Sequence, residues 1–171
     1  MERIVIIGCG GSGKSTLARQ LGEILTLPVV HLDKLYWYSG WQESTAEEFD
    51  AKLAAELEKS RWIMDGNFSR TIPQRLAKCD TVIYLDYNRF VCLWGVICRV
   101  IKSYGKSRPD MGEGCPERFD WDFIKWVWNF NNQNRENNYR CLNTVSHAET
   151  FAFKNRRQLR EFLRQLQGDV K

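Results

Sequence analysis

The chain has 171 residues, 43% of them apolar and 27% charged, with a net charge of +4. That length suits one domain with its own core. The absence of a run of about 18 apolar residues argues against a membrane-spanning helix, and so mild a positive charge argues against a protein that coats nucleic acid. The charge is also uneven. Residues 88–108 hold Arg89, Arg99, Lys102, Lys106 and Arg108 and no acid, and residues 154–171 hold six cations against two acids. Six cysteines are scattered without a C-x-x-C pair, so a zinc or thioredoxin-like site lacks its spacing. No signal peptide precedes the first strand, and reduced thiols in a cytoplasmic protein are expected.

The first element is Arg3–Ile7, a continuous β-branched run of the kind buried on both faces of a sheet. Gly8-Cys9-Gly10-Gly11-Ser12-Gly13-Lys14-Ser15 follows at once and fits G-x-x-x-x-G-K-[ST]. Lys14–Leu25 then carries Leu17, Leu21 and Ile24 on one helical face. Strand, loop and helix in this order form a phosphate cradle. Glycines let successive backbone N–H groups turn inward, and the helix N-terminus adds partial positive charge. The expected nucleotide contacts are Gly8, Cys9, Gly10, Gly11, Ser12, Gly13, Lys14, Ser15 and Thr16. Lys14 reaches the β- and γ-phosphates of ATP or GTP, and the Ser15 hydroxyl ligates Mg²⁺.

Pro28–Leu32 is the second strand, followed by Asp33 and an aromatic stretch, Tyr36, Trp37, Tyr38 and Trp41, suited to stacking on a base or to packing. Ser44-Thr45-Ala46-Glu47 reads as a capping box opening a helix with Phe49, Leu53 and Leu57 inward. Trp62–Met64 is the third strand and ends at Asp65-Gly66. Thr81–Leu85 is the fourth and ends at Asp86. In a parallel sheet, ligands sit beyond the carboxyl ends of the strands. Asp33 is therefore placed to meet a substrate hydroxyl and Asp65 to hold Mg²⁺, with Asp86 the second candidate for the metal.

Asn88–Tyr104 is a long apolar helix on which Arg99, Lys102 and Lys106 share a face, with Arg108 just beyond. Gly105–Pro116, with three glycines and two prolines, reads as a mobile lid loop. Phe119, Phe123, Trp126 and Phe130 repeat at helical spacing and are expected in the core. Thr150–Phe153 is the fifth strand, and Asn155 caps a last helix with Leu159, Phe162, Leu163 and Leu166 inward. Strands alternating with helices predict βαβ units and a parallel sheet covered on both faces, an α/β fold. Arg99, Arg108 and Arg135 are the candidate catalytic cations beside Lys14, because phosphoryl transfer needs positive charge over the equatorial oxygens.

Trp62-Ile63-Met64-Asp65-Gly66-Asn67-Phe68-Ser69 leading into Arg70-Thr71-Ile72-Pro73-Gln74 is similar to the adenylate kinase pattern, a strand ending D-G-F and then P-R-T-I-P-Q. The chain thus resembles the nucleoside monophosphate kinase-like P-loop family along nearly its whole length. His31-Leu32-Asp33-Lys34 is closer to shikimate and gluconate kinases, where an aspartate after the second strand contacts the acceptor. Residues 105–118 resemble a bacterial subgroup labelled DNA topology modulation protein, related to adenylate kinase. The resemblance implies a three-layer αβα P-loop NTPase fold with a five-stranded parallel sheet in 2-3-1-4-5 order. It also implies one domain over residues 1–171, with an acceptor-binding region near 34–60 and a helical lid near 99–135. The implied cofactors are ATP and Mg²⁺, with Asp65 beside the metal, Arg70 on a nucleotide phosphate and Asp33 on the acceptor. The expected reaction is transfer of the γ-phosphate to a nucleotide or small molecule. The alternatives are a nucleotide-dependent regulator of DNA topology and a plain ATPase. The basic tail, Lys154–Lys171, is the one stretch where nucleic acid would bind.

Overall fold

The computed structural model describes residues 1–169; the end of the basic tail, 170–171, lies outside the described residues. Five strands form one parallel sheet: β1 (Arg3–Gly8), β2 (Val29–His31), β5 (Trp62–Asp65), β6 (Thr81–Leu85) and β7 (Glu149–Phe153). Their order is β2-β5-β1-β6-β7. Two two-residue strands, β3 (Trp37–Tyr38) and β4 (Gln42–Glu43), pair antiparallel as a separate hairpin. Counting only strands of the main sheet, the order is 2-3-1-4-5, as the resemblance implies.

β1 is central, so its side chains are buried whichever way they point. Ile4 and Ile6 enter one core and Val5 and Ile7 the other, all fully buried, which is the period-2 alternation of a strand covered on both faces. At roughly 1.5–3 kcal/mol for each buried aliphatic side chain, such strands dominate the stability of the sheet. The first core takes Leu17 and Leu21 of α1 (Lys14–Leu25), Cys92 and Val96 of α5 (Arg89–Ser103), and Leu159 and Phe162 of α7 (Arg156–Asp169). The second takes Phe49, Leu53 and Leu57 of α3 (Ala46–Leu57) and Leu76 of α4 (Ile72–Lys78). The 24-residue α6 (Trp121–Thr144) serves both, with Val127 and Phe130 in the first and Leu142 in the second. Among the described residues no helix is long and apolar enough to cross a membrane.

Several local expectations shift. The second strand stops at His31, and Asp33 lies in the first turn of a short helix, α2 (Leu32–Tyr36). The capping box is one residue later than the sequence suggests: Thr45 Oγ1 accepts from Glu48 N and Glu48 answers at Thr45 N. Ser44 instead uses its N–H to bond Tyr36 O. Both S-x-x-E and T-x-x-E are present, and only the hairpin contact decides between them. Asp65 is the last residue of β5, in register with Ile6 and His31. Asn155 caps α7 by accepting from Arg157 N and Gln158 N. Phe119 lies outside α6 and is exposed, not buried.

Candidate active site

The loop between β1 and α1 closes around Lys14. Gly13, at φ 97°, is the N-cap of α1, a conformation that a residue with a Cβ rarely adopts. The Lys14 ammonium arches over the loop and donates to Gly8 O at 2.8 Å and Cys9 O at 2.9 Å. Burial lowers its pKa, and the carboxylates of Asp65 and Asp33 act in the opposite direction. Ser15 Oγ donates to Asp65 Oδ2 at 2.6 Å, and the other Asp65 oxygen meets His31 Nδ1. Asp33 lies on the same floor. Desolvation raises its carboxyl above the usual range, and Lys14 offsets part of that rise.

A further layer of bonds fixes this floor. Asn67 Oδ1 accepts from Gly8 N at 3.1 Å, tying the loop after β5 to the phosphate loop. Arg75 of α4 is fully buried and donates to the carbonyls of Gly66 (2.9 Å), Asn67 and Phe68. Burial pulls its pKa down to about 10. The sequence offered no signal for Arg75, since nothing in its local pattern marks a cation as interior.

The wall and roof come from α5, α6 and the segment between them. α5 lies directly on the phosphate loop: a Cβ on Gly95 would stand 2.1 Å from Gly11 O, and one on Gly11 would stand 2.2 Å from Cys92 O. Phe123 and Trp126, read from the sequence as core, stack on each other at 5.6 Å and border the cleft beside Gly10. Arg99 and Arg108 enter the cleft from the roof and converge on Glu117, with Nε to Oε2 distances of 3.1 and 2.8 Å. Arg108 also bonds Asp110 Oδ2 at 2.7 Å. Arg99 lies over the Phe123 ring at 5.2 Å, and burial together with the nearby Arg108 charge lowers its pKa.

The segment between α5 and α6 is stitched to the β3–β4 hairpin. Gly40 N donates to Gly114 O at 2.9 Å, Trp41 Nε1 to Pro116 O at 3.1 Å, and Cys115 Sγ to Tyr38 O at 3.0 Å. Trp37 and Trp41 meet edge to face at 5.4 Å and both border the cleft. The result is one cleft of about 920 Å³, within the range of small-molecule sites. Lys14, Arg19, Arg99, Lys102, Arg108, Arg118 and Arg156 line it against Asp33, Asp110, Glu117 and Asp120. This excess of cations favours a polyanionic ligand.

Not every candidate residue joins the cleft. Arg135 donates to Asp86 Oδ2 from Nε (3.1 Å) and a terminal nitrogen (2.7 Å), and Tyr139 Oη donates to the same oxygen at 2.8 Å. Asp86 and Arg135 thus satisfy each other where α6 crosses the end of β6. Arg70 makes a two-pronged pair with Asp50 on the outer surface, at 2.6 and 2.8 Å. All six cysteines are free, and among the described residues no cluster of His, Cys, Asp and Glu forms a metal site of its own.

No family model matches the chain, and no curated protein matches it in sequence. Solved structures do. Shikimate kinase from Bacteroides thetaiotaomicron superposes with a TM-score of 0.55 at 14% identity, covering 99% of this chain and 98% of that one. A gluconokinase from Sinorhizobium meliloti 1021 gives 0.56 at 14% identity, with 99% and 91% covered. These similarities establish the three-layer P-loop kinase fold.

Proposed function

We propose that the protein is an ATP-dependent phosphotransferase, moving the γ-phosphate of ATP to a nucleotide or small-molecule acceptor. The observation that carries this reading is the opposition across one cleft of a floor built from Lys14, Ser15, Asp33 and Asp65 and a roof holding Arg99 and Arg108. Both solved neighbours are named as kinases of small molecules, shikimate and gluconate, in keeping with it.

In this reading the inward N–H groups of residues 10–16 and the N-terminus of α1 bind the phosphates. Lys14 leaves the Gly8 and Cys9 carbonyls for the β- and γ-phosphates. The Ser15 hydroxyl and the Asp65 carboxylate, 2.6 Å apart, are hard oxygen donors of the kind Mg²⁺ prefers. Bound there, the ion would neutralise charge developing between the β- and γ-phosphates. Asp33 accepts the proton of the attacking hydroxyl, a task its raised pKa suits. Arg99 and Arg108 stabilise the equatorial oxygens, and the work is positioning and electrostatics, with no covalent intermediate. Trp37 and Trp41 provide an apolar wall for the acceptor. Adenine is the base by resemblance.

DNA as the principal ligand, the role suggested by the label of the resembling subgroup, has less behind it. On the basic tail Arg157 is paired with Glu161 at 2.8 Å, whereas seven cations face the cleft. The test is ADP release from ATP across a panel of nucleoside monophosphates and small hydroxyl compounds, with Lys14→Ala protein as the blank. Release that rises with one acceptor and vanishes in the variant is expected. Release that no acceptor accelerates makes the protein an ATPase, and none above the blank ends the kinase reading.

A further inference from the structure

One residue of the floor is held more firmly than its bond to the phosphate loop requires. Against the adenylate kinase pattern of a strand ending D-G-F, this chain reads Asp65-Gly66-Asn67-Phe68, with Asn67 in excess. The backbone beside it is strained: Phe68 has φ 34°, a left-handed conformation that a bulky side chain rarely adopts. Such strain persists only where the surroundings impose it, and it gathers at functional sites. Here the fully buried Arg75 imposes it, donating to the three successive carbonyls of Gly66, Asn67 and Phe68. The Asn67 side chain is fixed as well, because its Oδ1 accepts from Gly8 N at 3.1 Å. A backbone N–H can only donate, so the oxygen faces Gly8 and the Nδ2 amide is turned away from it. Among the described residues Asn67 makes no other side-chain hydrogen bond, which leaves both Nδ2 protons unspent. The residue is half-buried and borders the same cleft as Lys14, Ser15 and Asp33.

We propose that Asn67 binds the γ-phosphate: Nδ2 donates to an oxygen of the γ-phosphoryl group of ATP while Oδ1 stays on Gly8 N. The inference rests on the nucleotide-binding half of the proposed function and adds a residue to it. Two observations choose this ligand. Gly8 also holds Lys14, whose ammonium donates to its carbonyl at 2.8 Å. Lys14 and Asn67 are therefore anchored on the two ends of one residue, and both serve the end of the cleft where the γ-phosphate is placed. The second observation is that the side chain is an amide. A carboxylate at this position would take the Gly8 N–H equally well, and it would add a negative charge to a floor that already holds Asp33 and Asp65. The amide instead supplies uncharged donors, the kind of group a phosphoryl oxygen needs beside two carboxylates. A nucleotide that ends at the β-phosphate does not use this donor, so Asn67 favours ATP over ADP and its hold is lost once the γ-phosphate has left.

The test is isothermal titration calorimetry of the whole chain with Mg²⁺ and two probes, ADP and β,γ-imido-ATP, which needs neither an acceptor nor turnover. Asn67→Asp keeps an oxygen for Gly8 N and replaces the donor with a second oxygen. Its affinity for β,γ-imido-ATP is expected to fall by about 10–100-fold, the scale of a hydrogen bond to a charged group, while its affinity for ADP stays within about twofold. Circular dichroism reports whether the variant is folded. If it is not, Asn67→Ala takes its place, and a larger loss for β,γ-imido-ATP than for ADP is again expected. An equal loss for both nucleotides overturns the proposal by assigning Asn67 to the shape of the loop alone. Wild-type affinity for β,γ-imido-ATP in the folded variant overturns it too. A wild-type protein that binds neither probe overturns it together with the nucleotide reading. Selective loss in a protein that no acceptor turns over upholds the contact and ends only the kinase reading.

Discussion

The floor and the roof of the cleft are built on different physical principles. The floor is backbone: a strand, a glycine loop and a helix N-terminus contiguous in the chain, with Lys14 held by carbonyls five and six residues away. The roof is side-chain charge. Arg99 and Arg108 take their places because Glu117 and Asp110 hold them, and those acids follow in a segment that also clasps the β3–β4 hairpin. A backbone cradle is organised as soon as the local fold forms. An arginine pair held by carboxylates keeps two possible anionic partners, the acids of the roof and the phosphates of a ligand. In the proposed function the floor is therefore the binding element and the roof the element that responds to reaction.

The strongest break of that contrast is Arg108→Ala. With the floor untouched, the KM for ATP should stay within about tenfold while kcat falls by about 10³, the scale of a removed arginine finger. Steady-state kinetics separate the two, and an unchanged kcat removes Arg108 from the chemistry.

Asp33→Asn examines the floor instead. Desolvation holds the Asp33 carboxyl above its unfolded value, so the ionised form weighs against folding. The stability it contributes is present below the unfolded pKa and is lost as pH rises through the folded one. Thermal melts should therefore show the Asp33→Asn variant gaining on wild type at neutral pH and the gap closing in acid, while acceptor phosphorylation is lost. A melting difference that does not change with pH would contradict the buried-carboxylate account.

The smallest effect belongs to Arg70→Ala. Its pair with Asp50 is exposed and screened by water, and it stands outside both floor and roof. Melting temperature and ADP release should hardly move. A raised KM for the acceptor would instead show Arg70 leaving Asp50 for a phosphate, as the resemblance to adenylate kinase implies.

The same division explains what could be read in advance. The phosphate loop, the alternating elements and the helix faces at Leu17 and Leu21 or Phe49, Leu53 and Leu57 rest on short-range spacing, which the chain displays directly. The capping box slipped by one residue because Ser44 and Thr45 both satisfy its pattern and only a distant contact, Ser44 N to Tyr36 O, separates them. Phe123 packs against the first core as its spacing suggests, yet α6 also brings it, with the more exposed Trp126, to the cleft beside Gly10. Arg75 looked like any helical surface cation and is fully buried.

By itself, then, the sequence determined the layered parallel sheet, the phosphate cradle and the concentration of positive charge in residues 88–108, because hydrophobic period, glycine placement and charge runs are local properties. Tertiary structure decided which carboxylate meets which cation. Asp65 faces Ser15 while Asp86 is satisfied by Arg135 and Tyr139, and Arg99 and Arg108 reach the cleft while Arg70 does not. Those choices depend on which chain segments, tens of residues apart, are packed within about 4 Å, the range over which an ion pair between side chains forms.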